Sequence, residues 1–139
     1  MALSWYKRLQ HIKEILEDLY LVIDSSDRQY SRAASFGVAF VFNNLFEECW
    51  KLMKDMLMQF YGYAADSRDI AGPSNNITTA YEVGLVDSEL WAKMLVDRNA
   101  YTHDYRNQDM EYYYNQIVNV YLDLVLEFIR KCDEFQEKN

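Results

Sequence analysis

The chain contains few of the residues that interrupt helices, with four glycines and one proline among 139 residues. Long intervals therefore separate the positions at which a helix would have to end. A sheet fold would need short strands separated by regular turn signals, and the sequence has no such pattern. Half of the residues are hydrophobic and 16% are aromatic, which is enough for one core. We therefore predict a single all-α domain over residues 1–139.

Cysteine and histidine are also scarce, with two of each. Cys49 and Cys132 have no cysteine or histidine nearby at a spacing typical of metal ligands, so we expect no zinc site. Their positions inside predicted helices favour buried free thiols in a reducing cytoplasm. No sequence pattern indicates a bound cofactor, and we expect none.

No uninterrupted apolar run approaches the ~20 residues that a membrane-spanning helix needs. The opening stretch MALSWYKRLQHIKEIL carries charges throughout and does not resemble a secretory signal. We therefore expect a soluble, cytoplasmic protein that makes no use of a membrane. The formal net charge of −8 argues against a broad basic surface for nucleic acid, although it is compatible with a small local basic site.

Hydrophobic spacing predicts four main helices and one short one. The second of them is apolar over so wide an arc that we expect more than one neighbour to cover it. Residues 62–76 form the one long connection, Gly84 ends the short helix and Asp87 caps the helix that follows. Short connections elsewhere favour an antiparallel up-and-down bundle. The helices are predicted over about residues 5–24, 30–61, 75–83, 88–101 and 109–137.

The fourth predicted helix carries an arginine where its apolar face should continue. Trp91 and Met94 belong to that face, and Arg98 follows them by seven and four residues. A guanidinium at such a position is costly unless it is paired or borders a wet cleft. Two interpretations therefore stand: a functional cation in a cleft, or a structural ion pair with Asp97, Asp104 or an acid from another helix.

His103 and Tyr105 follow Arg98 in the stretch RNAYTHDY. On a continuous helix, a separation of five residues places Arg98 and His103 roughly 140° apart. They share a site only if the helix ends near Thr102 and the chain turns inward, or if a second copy supplies the other residue. A hydrogen-bonded histidine at a helix end and a packing tyrosine are the ordinary structural interpretations of His103 and Tyr105.

Arginine and histidine together have the chemistry for RNA cleavage without a metal ion. The reaction needs a base for the 2′-hydroxyl proton, an acid for the leaving oxygen and a cation for the charge that develops on phosphorus. Histidine titrates in the range of the first two tasks, and arginine offers a permanently charged fork to phosphate. One histidine does not comfortably perform both proton transfers, whereas a two-fold dimer brings two histidines together.

Two segments and this short motif resemble one family, in the same order along the chain. FEECWKLMKDML (46–57) resembles an F-E-x-x-W-K-x-[LM]-K-D-x-L helix, and residues 80–105 resemble a block that ends in D-R-N…H-x-Y. The pattern R-x4-H-x-Y is typical of HEPN domains. The combination is similar to the HepT-like proteins, also called nucleotidyltransferase substrate-binding proteins. The first and last helices agree with the family only in character.

The resemblance implies a HEPN-like helical bundle that forms a homodimer, with the arginine and histidine of both copies facing a cleft on the two-fold axis. In the toxin–antitoxin version, the HEPN protein is a metal-independent ribonuclease. A minimal nucleotidyltransferase encoded nearby silences it by transferring AMP to the motif tyrosine. Carried over to this chain, Arg98 stabilises phosphate and His103 transfers protons. Asn99 is the assisting polar neighbour, and Tyr105 is the residue that receives AMP.

The family's older name implies an alternative, in which the chain is a non-catalytic subunit that presents a substrate to its nucleotidyltransferase. A third interpretation, a purely structural dimer, is disfavoured because the motif is intact. One segment departs from the family pattern. VFNNL (41–45) replaces a lead of the type R-F-E-[FY]-T, so Val41 and Asn43 stand where the family often has Arg and Glu. If those charges line the family's cleft, its polarity differs in this chain.

Charge and aromatic residues around the motif qualify the RNA interpretation. Lys93, Arg98 and Arg106 are interleaved with three aspartates, which suits a small phosphate site better than a long RNA track. The tyrosines of EYYY (111–114), together with those at the motif, offer faces on which bases stack. Packing between helices is the more common use of such tyrosines.

Overall fold

The computed structural model describes residues 4–138, and they form a helical bundle. Within this range a π-helical turn, Ile117–Tyr121, joins the last two helices into one continuous rod, and 3₁₀ turns lie at Arg68–Ile70 and Tyr105–Asn107. The predicted all-α fold, with four main helices and a short one, is confirmed. The α-helices are α1 (Ser4–Ser25), α2 (Arg32–Tyr61), α3 (Gly72–Glu82), α4 (Leu90–Asp104), α5 (Met110–Gln116) and α6 (Leu122–Lys138).

Ring contacts between the helices give the up-and-down arrangement. Trp5 near the start of α1 packs against Phe60 near the end of α2, with ring centroids 5.2 Å apart, so these helices are antiparallel. Phe36 near the start of α2 contacts Tyr105, which directly follows α4, so this pair is antiparallel as well. Phe135 near the end of α6 also contacts Phe60, so α6 runs parallel to α2.

α2 is the central helix, because it packs against α1, α3, α5 and the π-helical turn. It begins where the Ser31 hydroxyl accepts the N–H of Ala34, and it ends at Gly62, whose φ of 76° lies in the left-handed region. Its neighbours leave one side uncovered. On that side, Phe36 and Phe40 are 40% and 70% exposed, and this side forms one wall of the site.

The short helix α3 begins earlier than its sequence pattern predicts. It starts at Gly72 because Pro73 occupies the first turn, where a missing N–H leaves no hydrogen bond unmade. The connection before it contains the 3₁₀ turn Arg68–Ile70. The end of α3 agrees with the prediction, because Gly84 follows it with a φ of 82°.

The prediction that Asp87 caps α4 is wrong. The helix begins at Leu90, whose N–H is accepted by the Ser88 hydroxyl at 3.1 Å. Asp87 instead pairs with Lys131 of α6, with the carboxylate and ammonium 2.5 Å apart. The carboxylate therefore fixes the loop before α4 to the last helix.

The two cysteines lie in the core as free thiols, as predicted. Cys132 lies 3.5 Å from the sulfur of Met56, and burial raises the pKa of the Cys49 and Cys132 thiols. Both therefore stay protonated and unreactive at neutral pH. Between residues 4 and 138, no helix has the length and apolar character to cross a membrane. No group of three or more His, Cys, Asp or Glu residues in that range is arranged to hold a metal ion.

Candidate functional site

A cleft of about 520 Å³ lies between the uncovered side of α2 and the end of α4. In each wall the lining positions recur at three- and four-residue intervals, so each wall is a single helix face. We call this space the α2–α4 cleft. It is lined by Phe36, Phe40, Asn43, Asn44 and Glu47 from the α2 side and by Arg98, Tyr101, Thr102 and Tyr105 from the α4 side.

Arg98 is held in the cleft by an acid from another helix. Its Nη2 donates to Oε2 of Glu47 at 2.7 Å, and its Nη1 donates to Oδ1 of Asn99 at 3.1 Å. The Arg98 side chain is 22% exposed. Asp97 and Asp104, which precede and follow it on α4, bond to other residues. The two interpretations of Arg98 therefore both apply. It forms a structural ion pair with Glu47, and that pair borders the open space of the cleft.

Glu47 compensates the charge of Arg98 and has further neighbours of its own. It accepts a hydrogen bond from Nε1 of Trp50 at 3.2 Å and lies 3.7 Å from the ammonium of Lys51. Among the described residues that line the cleft, Glu47 and Arg98 are the only charged ones. The lining is therefore formally neutral.

Tyr105 stands at the end of the cleft with its ring fixed and its hydroxyl free. Its ring centroid is 5.7 Å from that of Phe36 and 6.0 Å from that of Tyr101. The side chain is 39% exposed, and its hydroxyl makes no hydrogen bond to any residue within 4–138. A reagent at the cleft mouth therefore meets an oriented and unengaged phenol.

His103 does not share the cleft with Arg98. The helix continues to Asp104 instead of ending near Thr102, so the inward turn that would bring the two side chains together within one chain does not occur. His103 is exposed and has no hydrogen bond or ion pair with another described residue. Asn99 touches the Arg98 guanidinium, as a polar neighbour would, but does not line the cleft.

The rod formed by α5, the π-helical turn and α6 holds both walls of the cleft in place. Asp97 of α4 accepts hydrogen bonds from the hydroxyls of Tyr112, at 2.9 Å, and of Tyr121. Tyr121 belongs to the π-helical turn, and burial together with its bond to Asp97 raises the pKa of this phenol. Tyr113 donates to Oδ1 of Asn43 in the α2 wall at 2.6 Å. Turns of this kind recur at functional sites, because they redirect side chains within a helix.

Most tyrosines of the EYYY segment serve packing and not base stacking. Tyr113 and Tyr114 are buried, and burial raises the pKa of the Tyr113 phenol. Tyr112 is exposed and lies under the ammonium of Lys93, which is 5.4 Å from its ring centroid. The tyrosines available to a ligand in the cleft are Tyr101 and Tyr105.

The two positions at which the sequence departs from the family pattern have different locations. Asn43 lines the α2–α4 cleft, whereas Val41 lines a separate groove between α1 and α2. An amide in place of an acid at position 43 therefore makes this cleft less negative. The change at position 41 leaves the cleft lining unaltered.

The sequence analysis gave no role to Glu47, Phe36 or Phe40, although all three line the cleft. A signal for them exists, since Phe36, Phe40, Asn43 and Glu47 repeat at intervals of three and four along one face of α2. Polar residues that interrupt an otherwise apolar face mark the side of a helix that borders a site.

A family model described as nucleotidyltransferase substrate binding protein like matches residues 7–134. The match spans both walls of the cleft and the helices that fasten them. The chain belongs to this family. The HepT-like resemblance of the two segments is thereby confirmed, and the family's name implies a nucleotidyltransferase as a partner. Among curated proteins, no match to the chain was found.

Proposed function

We propose that this family member is a HEPN toxin-type, metal-independent endoribonuclease, silenced when a partner nucleotidyltransferase transfers AMP to Tyr105. The observation that carries the proposal is that Arg98 and Tyr105 line one cleft, with the Tyr105 hydroxyl unengaged among the described residues. A group added to that hydroxyl enters the same space in which Arg98 would meet a phosphate. The family's association with a nucleotidyltransferase supports this interpretation.

The nuclease site, in this proposal, is completed by a second copy of the chain. His103 lies outside the cleft of its own chain, so a homodimer must bring it to the scissile phosphate. The exposed rings of Phe36 and Phe40, beside Tyr105, form an apolar surface that favours such association. The two-fold axis would then bring together both copies of Arg98 and of His103.

Cleavage follows from these groups without a cofactor. One His103 accepts the 2′-hydroxyl proton, the 2′-oxygen bonds to phosphorus and the bond from phosphorus to the 5′-oxygen breaks. The His103 of the other copy protonates the departing 5′-oxygen, which leaves a 2′,3′-cyclic phosphate and a 5′-hydroxyl. Arg98 stabilises the charge on the phosphorane by sharing the Nη2 donor that now bonds to Glu47.

Silencing uses ATP as the second substrate of the partner enzyme. The Tyr105 oxygen attacks the α-phosphorus, the bond to the β-phosphate oxygen breaks, pyrophosphate leaves and the phenolic proton is lost. The product carries a base, a ribose and one negative charge at the end of the cleft. Added bulk and charge of the same sign as RNA exclude the substrate.

A second candidate is a non-catalytic subunit that presents a ligand or Tyr105 to the nucleotidyltransferase. The ion pair between Arg98 and Glu47 favours it, because the pair leaves the cleft lining neutral in the single chain. His103, which lies outside the cleft, is also not needed for such a role.

The deciding experiment is cleavage of an RNA oligonucleotide by the purified protein in the presence of a chelator, with intact mass measured on the same sample. Unmodified wild type should cleave, whereas His103→Ala should not, although both should have the same oligomeric state and melting temperature. An unmodified wild type that leaves every RNA intact would contradict the nuclease proposal and favour the second candidate.

The silencing step is tested with ATP and a minimal nucleotidyltransferase of the kind that the family's name implies as a partner. Wild type should gain the mass of an adenylyl group and lose cleavage in proportion to the modified fraction. The matched control is Tyr105→Phe, which removes only the hydroxyl and should remain unmodified and active. Modification of Tyr105→Phe to the same extent would place the acceptor elsewhere.

A further inference from the structure

Glu47 lies at the boundary between two open spaces on the surface of α2. It lines the α2–α4 cleft, and it also lines the separate groove of about 400 Å³ between α1 and α2. Of these two spaces, Arg98 lines the cleft and Lys51 lines the groove. The carboxylate of Glu47 therefore has one cation on its cleft side and another on its groove side.

The two cations contact the carboxylate at different distances. Nη2 of Arg98 donates to Oε2 of Glu47 at 2.7 Å, whereas Nζ of Lys51 lies 3.7 Å from Oε1. The first contact is a charge-assisted hydrogen bond, and the second is an ion pair too long to be one. A shift of the carboxylate by about 1 Å towards Lys51 would convert the second contact into a hydrogen bond.

Trp50 supports the contacts that Glu47 makes on its own helix. Glu47, Trp50 and Lys51 follow each other at intervals of three and four residues, so their side chains are neighbours on α2. Nε1 of Trp50 donates to Oε2 of Glu47 at 3.2 Å, and the Lys51 ammonium lies 6.0 Å from the ring centroid of Trp50, a cation–π distance. Neither contact involves α4, so both remain when Arg98 turns to another anion.

We propose that Lys51 is a positioning residue, which takes over the carboxylate of Glu47 when Arg98 bonds to a phosphate. A phosphate on Arg98 would otherwise lie beside an unpaired carboxylate of the same charge. The side chain of Glu47 is 33% exposed, so water alone screens that repulsion only in part. That the phosphate belongs to RNA rests on the proposed function, whereas the exchange itself requires only an anion at Arg98.

The test is an NMR titration of the ¹⁵N-labelled protein with inorganic phosphate, at an ionic strength held constant with sodium chloride. Lys51→Met removes the ammonium and keeps most of the apolar stem. It should weaken phosphate binding about threefold, somewhat more than the roughly twofold expected of an exposed pair on a helix, because Glu47 is largely buried. Lys51→Arg keeps the charge and should bind phosphate as wild type does.

Lys54→Met is the matched control. Lys54 lies three residues further along α2, is half-buried like Lys51, and lines neither the cleft nor the groove. It forms no ion pair within the described part of the chain. The affinity for phosphate should change by less than about 1.5-fold, because salt screens a charge that does not contact Glu47.

A Glu47→Gln background shows whether Lys51 acts through the carboxylate. There, Lys51→Met should change phosphate binding no more than Lys54→Met does, because no carboxylate remains for the ammonium to receive. A structural role of Lys51 would instead persist in this background and lower the melting temperature, which thermal unfolding of each variant measures.

The indole N–H of Trp50 reports the movement of the carboxylate directly. The chain has three tryptophans, and the signal that Trp50→Phe removes is that of Trp50. Phosphate should shift this signal in wild type, because the carboxylate to which it donates moves. The signals of Trp5 and Trp91, which are buried in the core, should stay in place.

Three results would each overturn the inference. They are wild type that binds no phosphate, equal weakening by Lys51→Met and Lys54→Met, and an effect of Lys51→Met that persists undiminished in Glu47→Gln. A Trp50 signal that phosphate leaves unchanged in wild type would also contradict the exchange.

This outcome is separable from that of the proposed function. A wild type that leaves RNA intact, yet binds phosphate with the expected dependence on Lys51, contradicts the nuclease and supports the exchange. A wild type that cleaves RNA, with phosphate binding indifferent to Lys51, does the opposite.

Discussion

Glu47 and Glu48 are adjacent on α2, yet they hold arginines on different sides of the helix. Glu48 and Asp55 together bind Arg8 of α1, at 2.5 and 2.8 Å, where α1 and α2 pack against each other. Glu47 alone pairs with Arg98 of α4, at 2.7 Å, beside an open cleft. The two arginines are 31% and 22% exposed, so exposure does not distinguish them. The two arginines differ in the number of carboxylates that each one bonds, two for Arg8 and one for Arg98. They also differ in the open space beside them, which only Arg98 borders.

The comparison separates a structural arginine from one available to a ligand. Arg8 has two carboxylates, so an anion that approached it would meet a net negative cluster. Arg98 has one carboxylate and one neutral amide, and it lines about 520 Å³ of open space with exposed aromatic rings. A phosphate can replace the single carboxylate that Arg98 bonds, whereas a phosphate that approached Arg8 would meet two carboxylates of the same charge.

The largest effect expected from either arginine is that of Arg98→Ala on RNA cleavage. The rate should fall about 100-fold or more, the loss typical of removing a preorganised group that stabilises transition-state charge. The free energy of unfolding should change by less than about 1 kcal/mol, because Glu47 is left partly solvated. Initial rates on an oligonucleotide and urea denaturation measure the two quantities. Cleavage at the wild-type rate would remove Arg98 from the site.

Arg8→Ala should show the reverse pattern. We expect the free energy of unfolding to fall by about 1–2 kcal/mol, since Glu48 and Asp55 are left facing each other without a cation, in partly solvated positions. RNA cleavage should match that of wild type under conditions in which the variant is folded. A loss of cleavage at unchanged stability would break the comparison between the two arginines.

The adjacent glutamates give a sharper version of the same contrast. Glu47→Gln should tighten binding of an RNA oligonucleotide roughly fivefold, because about 1 kcal/mol of repulsion from the RNA phosphate is removed and Arg98 is released. Glu48→Gln makes the same chemical change one residue away and should leave RNA binding unchanged. Equal effects from both substitutions would mean that only the overall charge of α2 matters.

Tyr121→Phe tests whether the last helix fastens the α4 wall. Loss of the hydrogen bond to Asp97 should lower the free energy of unfolding by about 0.5–1.5 kcal/mol. The matched variant Tyr112→Phe loses the other bond to the same carboxylate, at a more exposed phenol, and should cost less. A larger loss for Tyr112→Phe would show that the π-helical turn does not carry the contact.

The smallest effect is a difference in stability at alkaline pH. The folded protein raises the pKa of Tyr121 above the ~10 of an unfolded tyrosine, so the folded state retains a proton that the unfolded state loses. Its contribution is present below pH ~10 and declines as the pH rises beyond that value. Wild type should therefore lose stability more steeply than Tyr121→Phe above pH ~10. Parallel slopes in urea denaturation across that range would contradict this.

Much of the fold follows from local sequence, because apolar spacing and glycine position report directly on single helices. The end of α3 at Gly84 is one example. The start of α4 was misplaced because Asp87 is a good cap in isolation, and its ion pair with Lys131 depends on the approach of a helix more than forty residues later. The π-helical turn was also missed, since it differs from an α-helix by a hydrogen-bond shift that residue types do not encode.

The sequence was sufficient to identify several residues of the site, but not to predict which of them contact each other. Arg98 was recognised because a charge interrupts an apolar face, but the choice among candidate acids required the packing of α2 against α4. The relation of His103 to Arg98 depended on where α4 ends, and a difference of two residues decided that they do not meet.

The central claim is that one catalytic site is built from the histidines of two copies. The most direct test is a mixed dimer of wild type and His103→Ala, purified with a different affinity tag on each chain and assayed for RNA cleavage. Because one copy supplies the base and the other the acid, this dimer should be nearly as inactive as the His103→Ala homodimer. A rate of roughly half that of wild type would contradict the account, since each chain would then cleave with its own histidine.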